Sequence, residues 1–164
     1  MLRIGLLSDT HHFLDDAVFR HFEHCDEIWH AGDFGTADLA RQLSRFRPLR
    51  GVYGNIDGPD IRGDYPEKLR WQSEGVRVLM THIGGYPPRY NPVIIRELRN
   101  DPPQLFICGH SHILKIMYDA KLKCLHMNPG AAGRQGWHQV RTLIRFSIDG
   151  PDMKDCQVIE LGKR

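Results

Sequence analysis

The sequence has no hydrophobic stretch long enough to cross a membrane as a helix. A membrane-spanning helix needs about 18 or more apolar residues in succession, and every apolar run in this chain is far shorter. The run that opens the chain meets Asp9 too early to hold the hydrophobic core of a secretion signal. We therefore expect no membrane association and a cytoplasmic location.

Cysteine is scarce, and the spacing of the four cysteines is not that of a metal site. The four cysteines, Cys25, Cys108, Cys124 and Cys156, show no C-x-x-C pattern. This disfavours a cysteine-type zinc site and a disulfide framework. Cys108 and Cys124 lie inside apolar runs, where a free cysteine behaves as a small hydrophobic residue. We expect four reduced thiols.

The chain also lacks a strong excess of either charge. It carries 22 Lys and Arg residues against 20 Asp and Glu residues, a net charge of +2 with neutral histidines. This balance gives no support for a dedicated nucleic-acid surface or for an anionic membrane as a partner. A phosphate-bearing ligand would need a local site. The length of 164 residues fits a single domain, which we place over residues 1–164.

What the sequence does have is a regular order of apolar segments. In the first half, strand-like runs at residues 3–7, 27–30 and 48–53 alternate with helical spacing at 14–22 and with a helix that Thr36 would cap. This β-α-β-α-β order favours a parallel sheet. In the second half, the elements are mixed in type: a helix opened by Asn91-Pro92, a strand at 105–108 and three hairpin-like pairs. We predict an α/β fold of two β-sheets with helices outside.

Side chains that can bind metal follow the predicted strands one after another. They are Asp9 and His11 after the first strand, Asp33 after the second, Asn55 after the third, His82 after the first hairpin, and His110 with His112 after the strand at 105–108. Ligands of open α/β sheets bind outside the carboxyl ends of the strands. We therefore expect these residues to converge on one rim, although they are far apart in sequence.

Each short motif has an ordinary structural explanation when taken alone, because Gly-Asp and Gly-Asn are common in turns. Their shared placement at strand ends favours a metal site instead. Imidazole nitrogens with carboxylate and amide oxygens suit Mn²⁺, Fe, Zn²⁺ or Co²⁺. Seven ligands exceed the needs of one ion. They suit two ions about 3.5–4 Å apart that share a carboxylate, which is the spacing of hydrolytic two-metal centres.

The ordered motifs resemble those of the calcineurin-like metallophosphoesterases. The motifs are Asp9-Thr10-His11, Gly32-Asp33, Gly54-Asn55-Ile56-Asp57, Thr81-His82 and Gly109-His110-Ser111-His112, followed by Asn128-Pro129-Gly130. The likeness is greatest to the small single-domain bacterial and archaeal phosphodiesterases, which share ancestry with a retromer subunit of eukaryotes. The resemblance spans essentially the whole chain. It implies a four-layer α/β/β/α sandwich of two mixed sheets, with a dinuclear centre between the sheet ends.

The resemblance also implies a role for each residue. One ion would be bound by Asp9, His11 and His112, the other by Asn55, His82 and His110, with Asp33 bridging the two. We expect two Mn²⁺ ions, with Fe, Zn²⁺, Co²⁺ and Ni²⁺ as alternatives, and a bridging hydroxide that attacks phosphorus in line. The substrate would be a small phosphate ester. The residues expected to act in catalysis are Asp9, Asp33, Asn55, His82, His110 and His112.

One departure from the superfamily pattern leaves the reaction open. Many members place a histidine directly after the motif asparagine to serve the leaving group, but this chain has Ile56, which cannot donate a proton. This favours diesters or activated aryl esters over ordinary monoesters. The alternative function is a non-catalytic protein-binding scaffold, like the retromer subunit, with a vestigial metal site. The oligomeric state is open, and a homo-oligomer is compatible with the sequence.

Three further residues are candidates for supporting roles around the metals. Asp57 could accept a hydrogen bond from a metal-binding histidine, or could simply be a turn residue. His12 could supply a proton or serve the structure of its loop, and Asn128 belongs to the N-P-G loop. The remaining histidines are interpreted as structural or exposed; they are His21, His24, His30, His126 and His138.

Overall fold

The first half of the chain alternates strands and helices, as the apolar spacing predicts. In the computed structural model, which describes residues 1–164, these elements are β1 (Leu2–Leu7), α1 (Ala17–His21), β2 (Glu27–His30), α2 (Ala37–Phe46), β3 (Leu49–Gly51) and α3 (Pro59–Arg62). The three strands are parallel. With the C-terminal strands β11 (Val140–Asp149) and β12 (Asp152–Lys163), they form a five-stranded mixed sheet in the order β12-β11-β1-β2-β3.

The second half builds another five-stranded mixed sheet. Its strands are β4 (Lys68–Ser73), β5 (Val76–Thr81), β8 (Leu105–Ile107), β9 (Leu114–Asp119) and β10 (Cys124–Pro129), in the order β4-β5-β8-β10-β9. The central strand β8 is parallel to both of its neighbours. Between β5 and β8 the chain forms a small hairpin of β6 (Gly85–Tyr86) and β7 (Arg89–Tyr90), then α4 (Pro92–Asn100).

Three hydrophobic clusters separate four layers. The cluster between the two sheets is centred on Trp29, whose ring meets those of Trp71 and Phe146 edge to face at centroid distances of 4.8 and 5.6 Å. Buried side chains of α1, α2 and α3, such as Leu43, cover the outer face of the first sheet. Leu98 and its neighbours on α4 cover the second sheet. The layer order is therefore α/β/β/α, which confirms the predicted sandwich.

Local sequence signals explain where the two longer helices begin. The Thr36 hydroxyl accepts a hydrogen bond from the Leu39 amide at 3.2 Å, so Thr36 is the N-cap of α2. At α4, the Asn91 side chain accepts one from the Val93 amide at 2.9 Å, and Pro92 occupies the first helical position. Both predicted helix starts are confirmed.

The prediction was wrong about the length of the first helix. Apolar spacing predicts a helix over residues 14–22, but α1 covers only Ala17–His21. The Asp15 carboxylate accepts hydrogen bonds from the Ala17 amide at 2.9 Å and from Arg141 at 2.7 Å. Because Asp15 is held by a residue of β11, the helix begins after it. Leu14 packs against the core from the loop.

The strand directions bring the predicted ligands to one edge of the molecule. Because β1, β2 and β3 run parallel in one sheet, and β5 and β8 run parallel in the other, each set of carboxyl ends lies on one side. The loops that follow these five strands carry all seven predicted ligands. None of the four helices has the length and apolar character needed to cross a membrane.

Candidate metal centre

The loops at the strand ends are tied to one another by backbone hydrogen bonds. The Asp9 amide donates to the Gly32 carbonyl at 2.9 Å, which joins the loops after β1 and β2. The Gly109 amide donates to the His82 carbonyl at 3.0 Å, which joins the loops after β5 and β8. The His110 amide donates to the Asp9 carboxylate at 3.1 Å and so connects the two sheets. The predicted rim is therefore a single cluster.

Most of the predicted ligands have an unusual backbone conformation. Five of the seven have positive φ; the angles are 53° at Asp9, 44° at His11, 59° at Asp33, 71° at His110 and 61° at His112. Residues other than glycine rarely adopt this region, and such strain is concentrated at functional sites. The backbone at this rim is thus held in place to direct particular side chains inward.

One group of candidate ligands consists of Asp9, His11 and His112, whose ligand atoms all lie within 4.8 Å of one another. Asp9 Oδ1 lies 3.6 Å from His11 Nε2 and 3.2 Å from His112 Nε2. The other oxygen, Oδ2, accepts hydrogen bonds from the Ser8 hydroxyl at 2.7 Å and from the His110 amide. These bonds leave Oδ1 facing the two imidazoles.

A second group consists of Asp33, His82 and His110, again within 4.8 Å of one another. Asp33 Oδ2 lies 3.1 Å from His82 Nε2, and Asn55 Oδ1 lies 3.0 Å from His110 Nδ1, so the predicted amide joins this group. His82 Nδ1 donates to the Ala31 carbonyl at 2.7 Å. Because that nitrogen carries a proton, the neutral form of His82 has its lone pair on Nε2, which faces the carboxylate.

Asp33 lies between the two groups. Its Oδ2 is 3.3 Å from His11 Nε2 in the first group and 3.1 Å from His82 Nε2 in the second. Two ligands with bonds of about 2.1 Å to the same ion are about 3.0 Å apart in octahedral geometry and about 3.4 Å apart in tetrahedral geometry. Four of the six nitrogen–oxygen distances here, from 3.0 to 3.3 Å, lie in that range, and the other two, 3.6 and 3.7 Å, are slightly longer.

Some buried polar atoms at the centre of the cluster have no hydrogen-bond partner, and this indicates whether metal ions fit there. Asp9 Oδ1, His11 Nε2 and His82 Nε2 are fully buried and have no hydrogen-bond partner. Buried polar atoms are almost always paired, and each unpaired one destabilises the fold by about 1–3 kcal/mol. Here three of them lie in one place, and all three are predicted ligands. The donor set therefore fits divalent cations, which would satisfy these atoms together.

The electrostatics of the cluster favour ionised carboxylates. Burial opposes the ionisation of Asp33, but the adjacent His11 and His82 outweigh it, and the pKa of Asp33 lies well below its ordinary value. The pKa of Asp9 is lowered in the same way, against its burial, by His11 and His112. Asp33 and Asp9 in turn raise the pKa of His11 to about 9. A cation that binds Nε2 must displace this proton, so metal binding releases protons.

Asp57 supports the site through the backbone and not through a histidine. Its buried carboxylate accepts four hydrogen bonds from backbone amides, at distances from 2.8 to 3.2 Å; the donors are Asp33, Phe34, Gly35 and Gly54. The expected contact with a metal-binding histidine is absent. Instead Asp57 fixes the loop after β2 against the loop after β3. It thereby positions the Asp33 carboxylate next to Asn55.

Asn128 supports the loop that carries His110 and His112. Its side-chain amide donates to the Gly109 carbonyl at 3.0 Å and to the Ser111 hydroxyl at 3.1 Å, while its oxygen accepts from the Gly130 amide at 3.0 Å. All the hydrogen-bonding groups of this buried side chain are used within the two loops. Asn128 therefore fixes the loop that carries His110 and His112 to the end of β10.

His12 and Ile56 lie at the edge of the cluster. The ring of His12 is exposed and rests against Gly35, and its amide donates to the Phe34 carbonyl at 3.1 Å. No contact joins that ring to a candidate ligand. Ile56 is 41% exposed, and its amide donates to Asp33 Oδ1 at 3.0 Å. Neither side chain places a proton donor within hydrogen-bond distance of the cluster.

Two of the remaining histidines are close to the site. His30 is buried, and its Nδ1 accepts from the Gly32 amide at 3.1 Å, so its Nε2 donates to Thr10 Oγ1 at 3.1 Å. Burial lowers the pKa of His30 to about 3, and it joins the first two loops as a neutral structural residue. His138 packs edge-on to His112, with ring centroids 5.1 Å apart. No local sequence pattern indicates that proximity.

Close packing explains why glycine precedes two of the ligands. A Cβ atom at Gly54 would collide with the carboxylate and amide of Asp33, and one at Gly109 would collide with Ser8 and Asp9. Any side chain at either position would push an acidic ligand out of the cluster. The Gly-Asn and Gly-His pairs of the motifs are therefore requirements of the site.

Two cavities lie on either side of the second group. The larger, about 460 Å³, includes Asn55 and His82 in its wall, and the smaller, about 250 Å³, includes His110. Ile83 and Asn91 line both. A compound bound at the cluster therefore has room for substituents on this side. The larger cavity also contains Arg62, which the sequence analysis did not single out.

Comparison with known proteins identifies relatives of this chain. The sequence model that defines the family "Calcineurin-like phosphoesterase superfamily domain" matches residues 2–150 of this chain. A probable metallophosphoesterase from Methanothermobacter thermautotrophicus is 30% identical over 167 residues, which cover 97% of this chain and 92% of the relative. Both matches include the seven predicted ligands within their span.

Solved structures share the fold at lower identity. A structure described as that of a novel archaeal phosphodiesterase is similar with a TM-score of 0.73 and 20% identity, covering 98% of this chain and 100% of that one. Wild-type Vps29 from Entamoeba histolytica, complexed with Zn²⁺, is similar with a TM-score of 0.74 and 13% identity, covering 97% and 99%. The family match, the related sequence and the two clustered ligand groups agree, and the chain belongs to the calcineurin-like phosphoesterase superfamily, a family of metal-dependent enzymes.

Proposed function

We propose that this protein is a phosphodiesterase that requires two divalent metal ions, with Mn²⁺ as the favoured ion and Fe, Zn²⁺, Co²⁺ or Ni²⁺ as alternatives. The observation that carries the proposal is the position of Asp33 Oδ2, within 3.3 Å of a histidine nitrogen in each of the two ligand groups. One carboxylate oxygen that faces both groups suits a bridging ligand. The first group would hold one ion, and the second, with Asn55, would hold the other.

The residues of the chain would supply binding, orientation and proton control. When bound, two divalent ions make water a stronger nucleophile near neutral pH and offset the negative charge on the phosphoryl oxygens. Asp57 and Asn128 would hold the ligand loops in place without touching the substrate. The hydrogen bond from His82 Nδ1 to the Ala31 carbonyl would keep the other ring nitrogen free for binding.

The expected preference for diesters depends on the leaving group. The leaving oxygen gains negative charge as the ester bond breaks, and a nearby acid or cation lowers the barrier. Ile56 provides neither, and it is exposed where the superfamily often has a histidine. Esters with acidic leaving groups need less help. Aryl diesters are therefore the substrates on which we expect activity, and alkyl monoesters the ones that react slowly.

A second candidate is a protein-binding scaffold of the same fold. Exposed apolar side chains surround the cluster; their exposed fractions are 41% for Ile56, 39% for Ile83, 86% for Val93 and 60% for Ile113. Such side chains are typical of surfaces that bind a partner. Vps29, a vacuolar protein sorting protein by its name, has this fold. The enzyme is favoured because all seven candidate ligands are present and clustered.

Metal reconstitution separates the two candidates. Protein stripped with a chelator should be inactive on bis(4-nitrophenyl) phosphate and should regain hydrolysis when Mn²⁺ is added. A second sample, reconstituted with Mg²⁺ alone, serves as the comparison because Mg²⁺ prefers oxygen ligands over imidazole. If none of Mn²⁺, Co²⁺, Ni²⁺ and Zn²⁺ restores hydrolysis, the scaffold becomes the better description of the protein.

A further inference from the structure

Arg62, the last residue of α3, presents a guanidinium group that is fixed in position but not neutralised. Its Nε donates to the Asp57 carbonyl at 2.6 Å, and its Cζ lies 4.4 Å above the ring of Tyr53. No carboxylate lies within 4.0 Å of it, and its Nη atoms make no hydrogen bond within the protein. An arginine that is held by its stem and stacked on a ring loses little freedom when it binds an anion.

Arg62 lies in the wall of a cavity next to the second group of candidate ligands. Arg62 lines the larger cavity together with Asn55 and His82, which belong to the second ligand group. The other cation in that wall, Lys68, is paired with Glu97. Glu67 is the acidic residue that lines the same cavity. Arg62 is therefore the unpaired positive charge in the wall of the larger cavity.

Hydrolysis of a phosphodiester creates negative charge on the leaving oxygen, which a nearby positive charge can stabilise. An ester substituent bound at the cluster extends away from the ligand atoms and into a neighbouring space, and the larger cavity, of about 460 Å³, can hold an aryl or comparable group. As the bond between phosphorus and the leaving oxygen breaks, both electrons stay on that oxygen. Ile56 cannot stabilise the resulting oxyanion, whereas a guanidinium group can.

We propose that Arg62 contacts the leaving group in this cavity and stabilises the negative charge that develops on the leaving oxygen, the task for which position 56 has no polar side chain. The proposal rests on the phosphodiesterase function proposed above. It adds a residue from outside the ordered sequence motifs and assigns the larger cavity to the leaving group. The enzyme would then work best on diesters whose leaving group fits between the Tyr53 ring and the Ile83 side chain.

The test compares Arg62→Ala with Arg96→Ala, which removes an exposed arginine of α4 that lines neither cavity. Both changes remove one positive charge, so general attraction of the substrate changes equally. The substrates are methyl aryl phosphodiesters that differ in the acidity of the phenol. Arg62→Ala should lower kcat/KM roughly 10-fold for the most acidic phenol and roughly 100-fold for phenol itself. Arg96→Ala should follow the wild type throughout.

A second measurement separates this role from a structural one. Metal content and the dissociation constant of dibenzylphosphinate, whose two P–C bonds resist hydrolysis, are measured for the loaded wild type and both variants. We expect both quantities to stay within about twofold, because the developing charge exists only in the transition state. A rate loss equal for all phenols, or a fall in metal content, would overturn the proposal. An inactive wild-type enzyme would refute the phosphodiesterase function itself.

Discussion

At the scale of single residues, the site depends most on Asp33. One of its oxygens faces His11 and His82, and the other accepts the Ile56 amide, so both oxygens are committed. Most of the other ligands contact atoms of one group only. This difference makes Asp33 the residue whose alteration affects the whole cluster.

Replacing Asp33 with Asn should therefore remove most of both metal ions and nearly all activity. The variant keeps the size of the side chain but loses the negative charge that a bridging ligand contributes. Metal content per chain, measured after gel filtration, checks the prediction. The exposed Asp38→Asn on α2 is the matched control. Near-normal metal content in Asp33→Asn would show that the carboxylate does not bridge.

Replacing Ile56 with His should raise the turnover of monoesters more than that of diesters. A histidine at this exposed position could donate a proton to a basic leaving group, and general acid catalysis contributes roughly 10²–10⁴-fold. We expect a gain of at least about 10-fold for an alkyl monoester in kcat. Ile56→Phe adds a ring without a proton donor and should show no gain. Equal gains for both ester types would contradict the leaving-group argument.

At the scale of elements, the site is a product of strand order and of loops that are bonded to one another. The position of every candidate ligand could be predicted from the sequence, because short apolar runs ending in Asp, Asn or His mark the ends of strands. The supporting contacts could not. Asp57 acts on amides 22 to 24 residues earlier in the chain, and no local pattern reports that contact. Arg62 lies on α3, a single turn without apolar periodicity.

The loop held by Asp57 gives a prediction at this scale. Asp57→Asn keeps the shape of the side chain but replaces one accepting oxygen with a donating amide, so the four backbone amides cannot all be satisfied. We expect metal affinity to fall roughly 10- to 100-fold, as is usual for changes next to a metal site. Asp60→Asn, on the exposed face of α3, is the control. Unchanged affinity in Asp57→Asn would mean that the loop does not need this carboxylate.

At the scale of the whole molecule, the apolar segments predict two sheets with helices outside, and the family resemblance implies the four-layer order. The extent of several elements could not be predicted. Strand β3 covers Leu49–Gly51, although the apolar run continues to residue 53. The remaining residues turn toward the cluster, where Gly54 packs against Asp33. Helix α1 is short because Asp15 is bound by Arg141 from the far end of the chain. Both deviations come from tertiary contacts that override local preference.

Because His126 is buried, we expect the free energy of unfolding to fall in mild acid. His126 is buried, donates from Nδ1 to the Phe106 carbonyl, and has its pKa lowered by burial to about 4. In the unfolded chain its pKa is about 6.5, so the unfolded state binds the proton more readily and stability falls as the pH drops through this window. The contribution lost by pH 5 is about 2 kcal/mol.

Denaturant unfolding of the metal-free protein at pH 7 and pH 5 measures this effect. His126→Gln should lose less free energy of unfolding between these pH values than the wild type loses. The exposed His24→Gln should lose as much as the wild type. If His126→Gln shows the same pH dependence as the wild type, His126 is not the source of the acid sensitivity.

The most direct test of the proposed two-metal centre is a titration of the metal-free protein with Mn²⁺, followed by electron paramagnetic resonance. Asp33 Oδ2 lies within reach of both ligand groups, so two ions should bind close enough for their spins to couple, at about 3.5–4 Å. We predict binding of two Mn²⁺ per chain and a spin-coupled signal that disappears in Asp33→Asn. Saturation at one ion per chain, or two ions with uncoupled spectra, would contradict the shared-carboxylate centre.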